Sequence, residues 1–351
     1  MFLRKADIDV ADDVLKGLAR RNPGDAIART PIVANIIASV FARPADVAPL
    51  PAQGTFHLVH RARLRSGRTL IVRSSLPDIF PSDDRLLIEQ TVFPLLVSLG
   101  LHVPAIHLTS VGDRDRAPFD FVIMDEAPGQ GLQFMSESEQ DDPAIWRMLG
   151  TVVRRLHTVH GEGAGPLLPL RGERGAALRA TGVNWRDYVL GHSEAHVARC
   201  LRSGLLAEAE AQEISRHLAD LPWDRETPSA LLHGDLGTHN VFVKDKQVLT
   251  LVDWEDALLG DPVFDVAMWA TFNPARRHGP FFDGYGAPVY AKHFRLMLSA
   301  YFLRITLAKA VVRQRFGYGD VPGRPTMRER IMNGVGAVRR AMSNSTGALF
   351  G

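Results

Sequence analysis

The chain has 351 residues, of which 46% are hydrophobic and 23% are charged, values typical of an ordinary globular protein. Forty-one lysines and arginines against 39 aspartates and glutamates give a formal charge of +2, so no strong field favours nucleic acid or a membrane surface as a partner. The length is enough for about two domains with a large buried core.

The single cysteine and the amino-terminal residues indicate the cellular compartment in which the protein is expected. Cys200 cannot form an intramolecular disulfide, which is compatible with a reducing cytoplasm, and a packed thiol is the simpler interpretation than a nucleophile. The segment Met1–Asp9 contains charged residues where a secretory signal needs an apolar core, and no uncharged run reaches the length of a membrane span. We therefore expect a cytoplasmic protein.

Two helices and an antiparallel sheet are predicted in the first third of the chain. Apolar residues recur at helical spacing over residues 7–20 and 31–42. Strands are expected over 55–64 and 69–73, joined by a turn, and a helix over 85–93 follows them. This order predicts a β-rich amino-terminal domain.

A break in regular structure follows the next predicted strand, at residues 119–124. The sequence Asp-Glu-Ala-Pro-Gly begins the break, and residues 125–131 are expected to form a hinge. The hinge would separate an N-lobe, residues 1–124, from a C-lobe, residues 132–351.

The predicted C-lobe contains mainly helical patterns. A stripe over residues 145–156 indicates a core helix, and a second apolar helix is expected over 294–305. His157 and His160 lie three positions apart, but a packed and a surface histidine explain them better than a metal site that has no third ligand. Residues 281–286, rich in glycine and aromatics, are predicted to form a loop that lines an acceptor site or packs beneath it.

The most informative segment reads Leu-His-Gly-Asp-Leu-Gly-Thr-His-Asn over residues 232–240. Asp235 and Asn240 have the H-x-D-x-x-x-x-N spacing of kinase catalytic loops, and Asp253 follows on the next predicted strand. One carboxylate would accept or orient an attacking hydroxyl, while the carboxamide and the second carboxylate hold Mg²⁺, which prefers oxygen ligands. Carboxylates that merely cap turns are the alternative, but turn caps do not require this combination.

A β-hairpin would bring the two expected metal ligands together. Residues 241–243 and 248–252 are apolar and β-rich, and the polar run between them suits a turn. Pairing of these strands places Asn240 and Asp253 at the same end of the hairpin.

The combined motifs resemble those of a known family. With Gly-Asp-Pro-Val-Phe-Asp-Val-Ala over 260–267, residues 231–267 are similar to the aminoglycoside phosphotransferase and choline kinase-like superfamily, and residues 30–310 fit more loosely. The resemblance implies an α+β, bilobal protein-kinase-like fold with an antiparallel β-rich N-lobe and a mainly helical C-lobe. The run Asp-Trp-Glu-Asp-Ala over 253–257 also resembles hygromycin-type antibiotic phosphotransferases.

The same resemblance implies a nucleotide site in the N-lobe. Gly54, Thr55 and Phe56 would occupy the loop over the phosphates, although an ordinary turn entering a strand explains them as well. Arg73 stands where protein kinases have a lysine, so its guanidinium would bridge the phosphates and Glu89. An exposed helix glutamate is the alternative for Glu89.

Adenine recognition is implied at the hinge. There the carbonyl of Asp125 and the N–H of Ala127 would contact the base, and Met124 would line its pocket. The nucleotide is expected to be ATP, with GTP as the alternative.

The function implied is transfer of the γ-phosphoryl group to a hydroxyl of a small molecule, with Asp235 as the catalytic base. The preferred acceptor is an antibiotic or natural product rather than a strongly cationic aminoglycoside, because the chain has no acidic excess. A primary-metabolic sugar or amino-alcohol kinase is the alternative, and a nonenzymatic nucleotide-binding regulator is a third. No nucleic-acid or membrane partner is expected.

Overall fold

The structure of the protein, a computed structural model, describes residues 5–20, 23–41, 45–51, 53–79, 83–170, 177–182, 184–223, 229–288 and 291–343. The chain divides by packing into two compact units. The sheet unit comprises Val10–Pro128 and Pro169–Glu173, and the helical unit comprises Met1–Asp9, Gly129–Leu168 and Arg174–Gly351. Within the described ranges, no helix combines the length and the apolar character needed to cross a membrane.

In the part of the chain that the structure describes, the sheet unit contains one antiparallel sheet, three α-helices and a short 3₁₀ helix, Asp84–Leu87. In chain order its elements are α1 (Asp12–Ala19), α2 (Pro23–Phe41), β1 (Ala45–Pro49), β2 (His57–Leu64), β3 (Thr69–Ser75), α3 (Ile88–Ser98), β4 (Ile106–Ser110) and β5 (Phe121–Asp125). The strands are paired in the order β1-β2-β3-β5-β4. The predicted antiparallel sheet is therefore confirmed.

Buried and exposed side chains alternate along much of β2, and this explains how the sheet buries one face. Leu58, Ala62 and Leu64 are buried, whereas Arg61 and Arg63 between them are exposed. The buried face forms a core with the inner side of α2 and with residues of β3 and β5. Each large apolar side chain buried in such a core contributes roughly 1.5–3 kcal/mol.

The sequence pattern did not predict β1. Its residues pair with β2 from Ala45 opposite Leu64 to Pro49 opposite His60. Proline cannot donate to a sheet ladder, and it is tolerated here because β1 lies at the edge of the sheet.

The helical unit carries short strands and most of the helices. In chain order its elements are β6 (Gln130–Gly131), α4 (Glu137–Gln140), α5 (Pro143–Leu156), β7 (Ala164–Leu167), β8 (Ala180–Gly182), α6 (Trp185–Leu190), α7 (Ser193–Arg202), α8 (Glu208–Asp220), β9 (Ala230–Leu232), β10 (Val241–Lys244), β11 (Val248–Leu251), β12 (Leu258–Gly260), α9 (Pro262–Phe272), α10 (His278–Tyr285), α11 (Lys292–Phe316) and α12 (Met327–Met342). Two small sheets have the strand orders β11-β10-β6 and β8-β7-β12-β9. Although the sequence assigned all of residues 1–124 to the N-lobe, residues 5–9 pack with this unit.

The hairpin predicted after the catalytic motif is present. Strands β10 and β11 pair antiparallel with Val241 opposite Leu251. Just beyond the paired residues, the N–H of Val252 donates to the carbonyl of Asn240 at 3.0 Å. Asn240 and Asp253 therefore lie at the same end of the hairpin, as the spacing indicated.

The loop predicted over residues 281–286 is wrong, because most of these residues belong to helix α10. The glycine that suggested a loop, Gly284, is a packing residue: a Cβ at this position would collide with the carbonyl oxygen of Arg147 on α5. On the buried side of α10, Phe281 stacks on Trp269 with ring centroids 3.8 Å apart. The aromatic residues therefore pack inside the helical unit.

Candidate active site

The loop between β9 and β10 is held in place by an aspartate from α9. The carboxylate of Asp265 accepts hydrogen bonds from the N–H of His233 at 2.6 Å and of Gly234 at 2.9 Å. Gly234 has φ +79°, and a Cβ there would collide with the carbonyl oxygen of Asp256. Glycine is therefore required here, and the contacts of Asp265 help to define the loop conformation.

His233 supports this loop and does not face an acceptor. Its Nε2 lies 3.0 Å from the carbonyl oxygen of Val252, so this nitrogen must carry the donated proton. The ring is buried against Trp254, with centroids 4.5 Å apart. Burial lowers the pKa of His233, against the opposing charges of Asp265 and Asp235, which keeps the imidazole neutral.

Asp235 is buried in the same loop, with 3% of its surface exposed. Its Oδ2 lies 3.1 Å from Nε2 of His239 and accepts from Nδ2 of Asn240 at 3.4 Å. Its Oδ1 has no hydrogen-bond partner among the described residues. Burial alone would raise the pKa of this carboxyl, but the charge and hydrogen bond of His239 outweigh burial and hold the pKa well below its usual range. Asp235 is thus ionised, with one oxygen able to accept from a hydroxyl.

His239 is a site residue to which sequence reasoning gave no role. Burial lowers its pKa, but the charge and hydrogen bond of Asp235 dominate and raise the value above the usual range. Its ring also packs edge-on against Phe272 at a centroid separation of 5.4 Å. A histidine four residues after the aspartate in the motif was the available signal, because both lie in one short loop.

Asn240 and Asp253 fit the oxygen-ligand chemistry expected of a magnesium site. The amide nitrogen of Asn240 donates to the main-chain oxygen of Asp235 at 2.9 Å, which turns its carbonyl oxygen to the other side of the planar amide. Asp253 has φ +66°, a conformation that Asp and Asn adopt more readily than most residues. In the described part of the chain, no three His, Cys, Asp or Glu side chains form a complete metal site. Phosphate oxygens and water would therefore supply the remaining ligands.

Lys5 is a second site residue that the sequence did not indicate. Burial lowers its pKa, but the negative charges of Asp256, Asp235, Glu255 and Asp253 together raise it above the usual lysine value. The segment that carries Lys5 is anchored by Arg315, which donates to the carbonyls of Ala6 at 2.7 Å and of Ile8 at 2.9 Å. A lysine ammonium thus lies within the field of the candidate base and of a candidate metal ligand.

The sheet unit holds the residues that were predicted to bind nucleotide phosphates. Nη1 of Arg73, on β3, donates to Oε1 of Glu89, on α3, at 2.7 Å, and both residues are buried. The structure therefore brings the predicted pair together. Gly54 and Thr55 lie between β1 and β2, and their role in a loop over the phosphates stays a prediction. The side chain of Phe56 is 2% exposed and belongs to the core of the unit.

The predicted hinge begins at the end of β5. Met124 is buried and packs against Leu86. The N–H of Asp125 donates to the carbonyl of Ala105 at 2.9 Å, while its carboxylate pairs with Arg68 at 2.7 Å. Adenine contacts through the carbonyl of Asp125 and the N–H of Ala127 stay a prediction.

The antiparallel sheet, the helical unit and the loop between β9 and β10 define a protein of the kinase-like α+β fold, as predicted. The chain belongs to the phosphotransferase enzyme family, whose model matches residues 48–293. The family resemblance seen in the sequence is therefore confirmed.

Individual relatives are distant. Hygromycin-B 4-O-kinase of Escherichia coli is 24% identical over 185 residues, and the match spans 51% of this chain and only 50% of the relative. A thermostable mutant of the aminoglycoside phosphotransferase APH(4)-Ia, solved with AMP-PNP and hygromycin B, has a TM-score of 0.62 at 19% identity, covering 89% of this chain and 99% of that one.

Two further solved structures show the same fold. The macrolide 2'-phosphotransferase MphH of Brachybacterium faecium has a TM-score of 0.55 at 18% identity, with 85% of this chain and 100% of that chain covered. A structure from Thermobifida fusca YX-ER1 with a provisional fructosamine-3-kinase assignment has a TM-score of 0.57 at 18% identity, covering 89% and 98%. These likenesses establish the fold of the chain.

Proposed function

We propose that the protein is an ATP-dependent O-phosphotransferase that moves the γ-phosphoryl group to a hydroxyl of a small molecule. The observation that carries this proposal is the ionised, buried Asp235, whose Oδ1 is unpartnered among the described residues, at the loop of a phosphotransferase-family chain. The hydroxyl oxygen attacks the γ-phosphorus, its proton passes to Asp235, and the bond from phosphorus to the β-phosphate bridging oxygen breaks to release ADP.

Preorganisation is the main contribution of the loop. Asp265 fixes the backbone before Asp235, and His239 and Asn240 fix one oxygen of its carboxylate. The base therefore needs little rearrangement when an acceptor arrives, and catalysis rests on positioning and charge more than on a covalent intermediate.

Asn240 and Asp253 would hold Mg²⁺, and Arg73, paired with Glu89, would steady the nucleotide phosphates. When bound, the ion supplies positive charge that neutralises the phosphate oxygens. Backbone groups of Asp125 and Ala127 would bind adenine, with Met124 beside the base. The structures of relatives with AMP-PNP support the use of an adenine nucleotide.

An antibiotic or another natural product with few positive charges is the acceptor we favour. Support for an antibiotic comes from the named activities of two relatives, which act on hygromycin B and on macrolides. The preference for few positive charges rests on the composition of the chain, which has no acidic excess. A sugar or amino-alcohol kinase is the second candidate function. It is supported by the fold similarity to the structure with a provisional fructosamine-3-kinase assignment.

An ATP-coupled screen of hydroxylated antibiotics and metabolites would test the proposal. Mass spectrometry of the product should show one added phosphoryl group, and Asp235→Asn should abolish the signal. If nucleotide binds but no acceptor is phosphorylated, the chain is a nucleotide-binding regulator instead.

A further inference from the structure

A cavity of about 730 Å³ in the helical unit reaches the catalytic loop. Thr238, in the same loop as Asp235, contributes to its wall, as do Phe272 at the end of α9 and Thr306 on α11. Phe272 packs on His239, which contacts Asp235. A molecule in this cavity would therefore lie beside the loop that carries the candidate base.

The cavity is lined by four arginines, Arg276, Arg277, Arg324 and Arg330, and Glu137 is the one carboxylate among the described lining residues. Two of the arginines are already neutralised. Arg276 pairs with Asp141 at 2.7 Å and with Glu137 at 3.1 Å, and Arg277 pairs with Asp141 at 2.8 Å.

Among the described residues, the other two arginines form no direct ion pair. No carboxylate of the described residues lies within 4.0 Å of Arg324 or Arg330. Both follow residue 293, where the match to the family model ends. This part of the cavity wall is thus built from a segment outside the family match.

Arg330 is the better placed of the two to bind a ligand. It is half-buried, Nε donates to the carbonyl of Pro325 and Nη1 to that of Thr271, both at 3.3 Å, and no described residue accepts from Nη2. Burial lowers its pKa, and so do the positive charges of Arg313 and Arg324, against the opposing charge of Asp320. The two hydrogen bonds hold the guanidinium in a fixed orientation, and the nearby Arg313 and Arg324 outnumber Asp320, so the surroundings keep a positive charge that an anion would balance.

We propose that this cavity is the acceptor pocket and that the acceptor carries an oxyanion group, a carboxylate or a phosphate, which Arg330 binds. The inference rests on the proposed function and adds the chemical class of its substrate. With the oxyanion on Arg330, the body of the acceptor extends past Thr238 and Phe272, and a hydroxyl reaches Asp235. A polycationic acceptor is disfavoured, because it would meet unneutralised arginines where it needs carboxylates.

Three small probes that differ in charge would test the anion site directly. The protein, saturated with Mg-AMP-PNP so that the α-, β- and γ-phosphate positions are filled, is titrated calorimetrically at constant ionic strength with phenyl phosphate, benzyl alcohol and benzylamine. We expect phenyl phosphate alone to bind. No detectable binding of phenyl phosphate, or equal binding of benzylamine, overturns the proposal.

Two substitutions and a matched control locate the site. Arg330→Gln should weaken phenyl phosphate binding on the order of tenfold or more, and Arg330→Lys should recover part of it, because an ammonium keeps the charge without the planar fork. Arg276→Gln, which changes a lining arginine that already has carboxylate partners, should change affinity by less than about threefold. Equal losses of affinity in the Arg330 and Arg276 variants would show that binding depends on the total positive charge of the cavity and not on Arg330 in particular. Circular dichroism confirms that each variant is folded.

Turnover measurements distinguish a failure of this inference from a failure of the proposed function. For acceptors found in the screen, Arg330→Gln should raise KM on the order of tenfold for anionic molecules and leave kcat nearly unchanged. Turnover of neutral or cationic acceptors that is insensitive to Arg330→Gln overturns the acceptor class but leaves the phosphotransferase intact. Absence of any phosphoryl transfer overturns the proposed function, while the phenyl phosphate titration still decides whether the anion site exists.

Discussion

At the residue scale, the two oxygens of the candidate base have different environments. Oδ2 of Asp235 is engaged by His239 and Asn240, whereas Oδ1 is buried without a described partner. A buried acceptor without a donor costs free energy in the unliganded protein, and an acceptor hydroxyl would satisfy it. An acceptor hydroxyl would therefore complete the hydrogen bonding of a base that is already oriented.

Asp235→Asn should lower phosphoryl transfer on the order of 10²–10⁴-fold and leave nucleotide affinity nearly intact, since the variant removes the proton acceptor and no metal ligand. Steady-state kinetics and calorimetry measure the two effects. Asp256→Asn is a matched control, because Asp256 is also buried and one of its oxygens has no partner among the described residues. A similar loss in the control would point to the combined charge of the site rather than to a specific base.

Asp253→Asn should abolish Mg²⁺-dependent nucleotide binding, because a neutral amide replaces the only carboxylate proposed for the ion. Asparagine is the right substitution here, since it tolerates the φ of +66° and the backbone need not change. Titration of Mg-AMP-PNP, with and without EDTA, checks the result. Wild-type affinity in both conditions would remove Asp253 from the metal site.

At the element scale, the buried pair between β3 and α3 links two elements of the sheet unit. We expect Arg73→Ala to weaken nucleotide binding, Arg73→Lys to recover it in part, and Glu89→Gln to matter less once Arg73 is gone. A double-mutant cycle on kcat/KM for nucleotide measures the coupling. Strictly additive losses would show that the two side chains act independently in binding.

A second buried hydrogen-bond network lies at the start of the short 3₁₀ helix that precedes α3. Asp83 accepts from Nε and Nη2 of Arg85, both at 2.6 Å, and lies 3.1 Å from His57. Burial would raise the pKa of Asp83, but these hydrogen bonds from His57 and Arg85 outweigh it and lower the pKa to about 2. A carboxyl whose pKa is lowered in the folded protein stabilises the fold at pH values above its ordinary pKa. This contribution is lost as the pH falls through the lowered pKa.

Asp83→Asn should therefore cost about 2 kcal/mol of unfolding free energy at pH 5, and the difference from wild type should shrink as the pH falls from about 4 to about 2. Urea unfolding followed by circular dichroism across this range provides the measurement. Asp113→Asn, which removes an exposed pair with Arg116, should change stability little at any pH. A pH-independent cost at Asp83 would mean that its charge is not involved.

At the scale of the whole molecule, the sequence predicted what is encoded locally. The hairpin and the Arg73–Glu89 pair follow from short-range patterns and a family motif, and both are present. Lys5 could not be found in this way, because its environment is made by residues far away in the chain, and the same holds for the contact of Arg330 with Thr271, 59 positions earlier. Gly284 was misread for the same reason: a glycine that permits close packing of α10 and α5 has the same local pattern as a loop glycine.

The position of Lys5 gives a prediction at this scale. Lys5→Gln removes a cation from among four carboxylates, so Mg²⁺ should bind more tightly, by roughly threefold to tenfold, as the field becomes more negative. The Mg²⁺ dependence of nucleotide binding measures the change. Lys16→Gln, at an exposed position on α1, is the control. Weaker Mg²⁺ binding in Lys5→Gln would instead indicate that the ammonium assists the phosphates.

The anchoring of residues 5–9 also has a consequence for biosynthesis. Asp7 contacts His196, 189 positions later, and the carbonyl of Ala6 is held by Arg315, 309 positions later. Translation proceeds from the amino to the carboxyl terminus, so this segment leaves the ribosome before the residues that it contacts. Residues 10–128 can meanwhile pack their own sheet, whereas Lys5 can reach its final position only after helix α11 has been synthesised.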